Sequence, residues 1–164
     1  MTVIAYKNGV MACDGSITSD NNSIVADFEK IMSLPDGGAV GFAGNAVGAQ
    51  AAMQWLFDHA DDWESIMDAW EDDGMPYESR PTVCSWDRMI LLVTAEKRVI
   101  YFSGDGRMEV TEQDYVAIGS GASLAMGAMH NGGDAIAGVD AAIAHDAHCS
   151  GVKTIIQIGG NNAD

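Results

Sequence analysis

Two short apolar runs separated by an Asn-Gly pair open the sequence. Thr2-Val3-Ile4-Ala5-Tyr6 and Val10-Met11-Ala12-Cys13 flank Lys7-Asn8-Gly9, and Asn-Gly supplies the positive φ angles that tight hairpin turns require. The spacing predicts a buried antiparallel hairpin, so Thr2 stands at the start of a strand instead of in a loose end. Directly before it is Met1. Threonine is small enough for a preceding Met to be removed, and removal would leave a hydroxyl and a free α-amine on one residue. That pair is a nucleophile with its own base. An α-amino group has an ordinary pKa of about 7.7–8.0, so a modest lowering makes it a competent base at neutral pH. On these residues alone, Thr2 reads first as a β-branched strand residue.

Beyond the hairpin, residues 16–28 are polar, with a loop at Ser19-Asp20-Asn21-Asn22-Ser23. A strand is predicted over 28–34, a turn at Pro35-Asp36-Gly37-Gly38, and a return strand over 39–44 whose glycines bring backbone close to something. Asn45 is a candidate N-cap, followed by Ala46, Ala49, Met53, Leu56 and Phe57 at the spacing of a buried helix face. Residues 58–86 form an acidic, Trp-rich helical segment and linker. Trp63, Met67 and Trp70 share one helix face there, which either packs on the domain with the carboxylates outward or docks another subunit. A hairpin is predicted from 89–94 and 99–102, a strand at 115–118, two small-residue helices over 122–129 and 134–148, a last strand over 153–158 and a loose tail at 159–164. The order reads as a single α+β domain across 1–164, two antiparallel sheets stacked with helices outside.

Composition narrows the function. A length of 164 residues suits one domain with a real core. The formal charge of −16 argues against nucleic acid and anionic membranes as partners, since both recruit basic patches. Cys13, Cys84 and Cys149 are scattered without a CxxC pair, which points away from a disulfide framework or a structural zinc. His145, Asp146, His148 and Cys149 have the spacing for a shared ion on a helix, but no fourth ligand stands nearby, so no metal and no other cofactor is expected. No apolar run approaches the roughly 18 residues of a membrane span, and no signal-peptide pattern is present. The expected compartment is a reducing cytoplasm.

Several stretches, in order and in register, carry a family resemblance. Thr2 through Asp14-Gly15-Ser16-Ile17-Thr18, Glu29-Lys30-Ile31, Gly41-Phe42-Ala43-Gly44-Asn45-Ala46, Tyr115 to Gly121 and Asp146 to Gly151 resemble the proteasome β-subunit family, most of all the bacterial HslV-type peptidases. The resemblance implies the four-layer αββα sandwich of N-terminal nucleophile (Ntn) hydrolases. It implies Thr2 as nucleophile, with Lys30 disfavouring a positive charge on the Thr2 amine and Asp14 holding Lys30. The Gly44 N–H becomes the oxyanion donor. Thr18 and Ala46 match positions that bind an extended peptide by strand addition. Ser120 and Asp146 match an accessory pair. The family's serine three residues after that acid falls here on Cys149, with Ser150 next, and either one is available to take its place. Read residue by residue, Asp14-Gly15 is also an ordinary turn, Lys30 an ordinary strand lysine and Gly44 an ordinary strand-to-helix glycine. The resemblance further implies homo-oligomeric stacked rings, peptide or unfolded-protein substrates and an ATP-dependent unfoldase as partner. Against this threonine endopeptidase stand two alternatives, a stand-alone Ntn amidohydrolase acting on small amides and a catalytically silent ring or scaffold subunit.

Overall fold

In the computed structural model the opening hairpin forms where the Asn-Gly pair puts it. Strand β1 (Val3–Lys7) pairs with β2 (Val10–Cys13), Tyr6 opposite Met11, around Asn8 and Gly9, whose φ angles are 51° and 83°. The structure describes residues 2–18, 24–25, 27–44, 89–102, 108–111 and 113–159, together with Gln54, Phe57 and Asp58. Two further strands extend the hairpin, β10 (Tyr115–Gly119) beside β1 and β11 (Thr154–Gln157) beside β2, giving the order β10-β1-β2-β11. Facing it is a second sheet of β5 (Ile31–Ser33), β6 (Ala39–Ala43), β7 (Met89–Val93), β8 (Val99–Phe102) and β9 (Met108–Thr111), paired in chain order. All the pairings are antiparallel. A short ribbon of β3 (Ile17–Thr18) and β4 (Ile24–Val25) stands apart.

β1 is the centre of the packing because both of its faces are covered. Successive side chains of a strand point to opposite faces. Ile4 and Tyr6 therefore meet Ile31, Leu91 and Val93 of the second sheet, while Val3 and Ala5 meet Ala125, Met129 and Val139 of the helices. That explains an apolar run without alternation in a strand buried on both sides. Each large side chain such as Ile4 or Leu91, fully buried, contributes about 1.5–3 kcal/mol. The two helices over this sheet are α1 (Ala122–His130) and α2 (Ala135–His145). Asp134 caps α2 by accepting the Ala137 N–H at 2.8 Å. Lys7 crosses the layer to donate to the Met129 and Gly133 carbonyls, each at 2.7 Å, where cations favour a helix C-terminus.

Several expectations need correction. The strand expected over 28–34 is confined to Ile31–Ser33, because the Phe28 N–H is taken by the Gly15 carbonyl at 2.8 Å and cannot enter a ladder. The last helix ends at His145 instead of 148, because Asp146 turns extended (φ −104°, ψ 117°) and accepts the His148 N–H at 2.9 Å. Strand β9 and the β3–β4 ribbon were not anticipated. Phe57, expected on a buried face, is 41% exposed, since it shares one side of a helical segment with the exposed Gln54 and Asp58. The remainder of the helix from Asn45, the 58–86 segment beyond Asp58, and the tail beyond Gly159 lie outside the described residues.

Candidate active site

The two sheets converge at one end on Thr2. A Cβ added to Gly41 would lie 2.9 Å from Ile4, so β6 lies directly over β1. From there Gly41 faces Ile31, and the Phe42 N–H reaches the Lys30 carbonyl at 3.0 Å. Ala43 faces Met89, while Val3 faces Gly119. Lys30, Gly44, Met89, Gly119 and Thr2 thus gather at the same end of the sandwich.

Thr2 is 5% exposed and held by backbone on two sides. Its carbonyl accepts the Gly121 N–H at 3.2 Å and the Ser120 hydroxyl at 3.3 Å, and its own N–H donates to the Ser120 oxygen at 3.3 Å. Gly119, with φ 94°, permits this closeness, because a Cβ there would stand 2.2 Å from the Thr2 carbonyl oxygen. The Thr2 hydroxyl donates to Asp14 Oδ1 at 3.3 Å.

Asp14 follows β2 and has no exposed surface. Its Oδ1 also accepts the Val3 N–H at 2.9 Å and the Lys30 ammonium at 2.6 Å. Oδ2 accepts the Ser16 hydroxyl at 2.9 Å, the Ser150 N–H at 3.3 Å and the Ser16 N–H at 3.4 Å. Lys30 is 4% exposed, so the pair is a buried one, tolerable only with such surrounding hydrogen bonds. A hydroxyl, a carboxylate and an ammonium buried together can hold charge in place while a bond forms at the hydroxyl oxygen.

A second arm runs behind Ser120. The Cys149 thiol donates to Asp146 Oδ2 at 3.5 Å and stands 4.0 Å from the Ser120 hydroxyl. The His148 N–H, then the Ser120 hydroxyl and the Cys149 thiol, hold the Asp146 carboxyl below its ordinary value. Burial, with Asp14 and Asp146 nearby, pushes the Cys149 thiol up to about 12, so it remains a protonated donor. Of the two candidates beside the accessory pair, Cys149 lies between Ser120 and Asp146, whereas Ser150 turns its N–H to Asp14 and to the Ser16 oxygen at 3.1 Å.

The remaining expected positions are less drawn in. Gly44 follows the end of β6 with φ 137° and is exposed. Thr18 ends β3, and Ala46 lies outside the described residues. A cavity of about 390 Å³ is walled by Met89, Tyr101, Ile118, Gly119 and Ala122, and it reaches the site through Gly119, the neighbour of Val3 across the ladder. Among the described residues no cluster of three or more His, Cys, Asp or Glu is arranged for a metal, and no helix is long and apolar enough to cross a membrane.

The ATP-dependent protease subunit HslV of Pseudothermotoga lettingae is 31% identical to this chain over 137 residues, covering 77% of this chain and 73% of the relative. The chain belongs to the HslV family. No model of a protein family matches it. Among solved structures, eukaryotic HslV from Trypanosoma brucei superposes with a TM-score of 0.66 at 20% identity, over 94% of this chain and 96% of that one. The Thiobacillus denitrificans BPH complex with epoxomicin gives 0.63 at 17%, over 97% and 99%. Both show the fold, the Ntn-hydrolase sandwich of two antiparallel sheets.

Three contributors in this HslV-family chain went unread in the sequence: Ser16, the Ser150 N–H and Gly119. A signal existed for Ser16, because an Asp side chain commonly bonds the backbone two residues on, and Ser16 stands at that offset from Asp14. The part Gly119 plays lies in a positive φ that sequence does not display. The Ser150 donor is backbone and has no residue signature.

Proposed function

We propose that this HslV-family chain is a threonine peptidase whose nucleophile is Thr2, freed by hydrolysis of the Met1–Thr2 bond. The observation that carries this reading is the Thr2 hydroxyl, buried and 3.3 Å from an Asp14 oxygen that also holds Lys30 at 2.6 Å. The Thr2 oxygen attacks the scissile carbonyl while its proton passes to the Thr2 amine, directly or through one water. Lys30 holds the amine below its ordinary 7.7–8.0 by like-charge repulsion and keeps it available as base. The Gly44 N–H receives the developing oxyanion, an interaction of a kind worth about 2.7–4 kcal/mol. Collapse expels the amine half of the peptide with the proton from the Thr2 ammonium. Water, activated by the same amine, then hydrolyses the acyl-threonine ester.

Ser120 positions the amine, Asp146 and Cys149 support Ser120, and Thr18 and Ala46 hold the peptide by strand addition. The P. lettingae relative is by name a subunit of an ATP-dependent protease, which supports a multisubunit assembly with an ATP-driven partner; homo-oligomeric rings, an unfoldase and a cytoplasmic setting are the form of it proposed for this chain. Casein hydrolysis tests the chemistry. Thr2→Ala should abolish it with fold and assembly retained, and Thr2→Ser should keep part of it. Wild-type turnover by Thr2→Ala would refute the assignment. Sedimentation tests the ring, which a species of 17.3 kDa at every concentration would rule out.

A further inference from the structure

The Asp14 carboxylate is served very differently at its two oxygens. Oδ1 accepts from Thr2 and Lys30, and Oδ2 accepts from Ser16 and Ser150. On Oδ2 the two backbone donors are long, Ser150 at 3.3 Å and Ser16 at 3.4 Å, while the Ser16 hydroxyl is close at 2.9 Å. That hydroxyl has one proton to give. The His148 carbonyl is its other acceptor in reach, at 3.4 Å, and the nearer, charged carboxylate wins. With its proton committed to Asp14, the Ser16 oxygen accepts the Ser150 N–H at 3.1 Å. Ser16 is therefore a junction. One bond fixes the plane of Asp14, and the other fastens the segment that carries Asp146 and Cys149. At 1% exposure it has no access to a peptide substrate.

The turn around it is built to the same tolerance. The Gly15 N–H donates to the Ser150 carbonyl at 3.1 Å, and a Cβ on Gly15 would stand 2.3 Å from the Val152 carbonyl oxygen. Gly151, with φ 85°, lies against the Gly15 backbone from the other side, its Cβ position 3.1 Å from the Gly15 carbonyl carbon. The 14–16 turn and the 148–152 segment thus interlock through backbone, with Ser16 as the side chain that ties them to the carboxylate.

We infer that Ser16 is a positioning residue for the threonine chemistry. Its hydroxyl sets the Asp14 carboxylate so that Oδ1 meets Thr2 and Lys30, and it joins that arm to the Ser120–Asp146–Cys149 arm. This rests on the peptidase reading above. Without the hydroxyl, Oδ2 retains only the longer Ser150 and Ser16 N–H donors, and the carboxylate plane is held less firmly about Oδ1. Small misplacements of this kind cost about ten- to a hundred-fold in turnover.

The test compares Ser16→Ala, Ser16→Thr and Thr2→Ala with wild type in steady-state peptide hydrolysis, with thermal unfolding of each. The expected result is kcat down ten-fold or more in Ser16→Ala, KM within two-fold, and most of kcat restored in Ser16→Thr. Should Ser16→Ala fail to fold, Ser16→Cys, with a weaker donor of similar size, carries the test. Intermediate turnover there supports the role and wild-type turnover overturns it. Wild-type kcat in Ser16→Ala beside an inactive Thr2→Ala overturns the Ser16 role and leaves the peptidase reading standing. An active Thr2→Ala overturns both.

Discussion

Replacing Lys30 by Met should cost far more stability than removal of a surface lysine, because it strands a buried carboxylate. Lys30 and Asp14 are 4% and 0% exposed, and the ammonium at 2.6 Å is the closest partner of Oδ1. Removing one member of such a pair typically costs about 3–5 kcal/mol, since the charge left behind is neither hydrated nor neutralised. Here the carboxylate would keep the Thr2 hydroxyl, the Val3 N–H, the Ser16 hydroxyl and the Ser150 N–H. Those donors place the expected loss at the lower end, about 3 kcal/mol. For a domain of this length each kcal/mol moves Tm by about 2–4 °C, so the midpoint should fall by roughly 6–12 °C. Asp14→Asn should cost as much or more, because it leaves an ammonium buried and turns an amide N–H₂ toward donors. Lys30→Met with Asp14→Asn should lose about 1–3 kcal/mol less than the sum of the single losses, since it removes both charges together. Urea and thermal unfolding at one fixed protein concentration and salt give the values, because association adds its own stability. A Lys30→Met protein within about 1 kcal/mol of wild type would refute the reasoning.

Other outcomes follow from the same geometry. With its pKa pushed up to about 12 and its thiol buried, Cys149 should resist iodoacetamide at pH 8 in the folded protein and react on denaturation; folded-state labelling at the rate of an exposed thiol would contradict this. Asp146 is held below its ordinary value in the fold, so its contribution to stability is complete above the unfolded pKa and is lost as pH falls through the lowered one. The stability gap between wild type and Asp146→Asn, followed by urea titration, should therefore narrow toward acid pH. Gly119→Ala meets both a positive φ and a 2.2 Å contact with the Thr2 carbonyl, and should lose about 2–4 kcal/mol in denaturant titration and nearly all hydrolysis.

How far the sequence was legible varied with how locally each feature is encoded. The apolar runs of β1, β2, β7, β8 and β10 announce themselves because each is short, bounded by turn residues and packed on at least one face, and β11 does so by its polar–apolar alternation. Strand β9 reads Met-Glu-Val-Thr at the edge of its sheet, too brief and mixed to stand out. The β3–β4 ribbon is two residues a side within a polar stretch. Helix α2 was overextended because Asp146, Ala147 and His148 continue a helical pattern, while the turn that ends it depends on a side chain folding back on its own backbone. That early end also fixes which neighbour comes near Ser120, since the turn after His145 brings the Cys149 thiol to Asp146. The family resemblance picks out Thr2, Asp14 and Lys30, and in the structure both Thr2 and Lys30 stand within hydrogen-bonding distance of Asp14 Oδ1. Ser16 escaped because nothing local distinguishes a serine that serves a buried carboxylate from one in an ordinary turn.

Everything proposed about the chemistry turns on whether the Thr2 amine is free. The N-terminal peptide of a preparation that hydrolyses casein, identified by mass spectrometry, addresses this directly. In an active preparation it should begin at Thr2, with Met1 absent. Full activity from protein whose Thr2 nitrogen is still joined to Met1 would contradict the N-terminal nucleophile outright, because the amide nitrogen cannot accept the proton that the hydroxyl must give up.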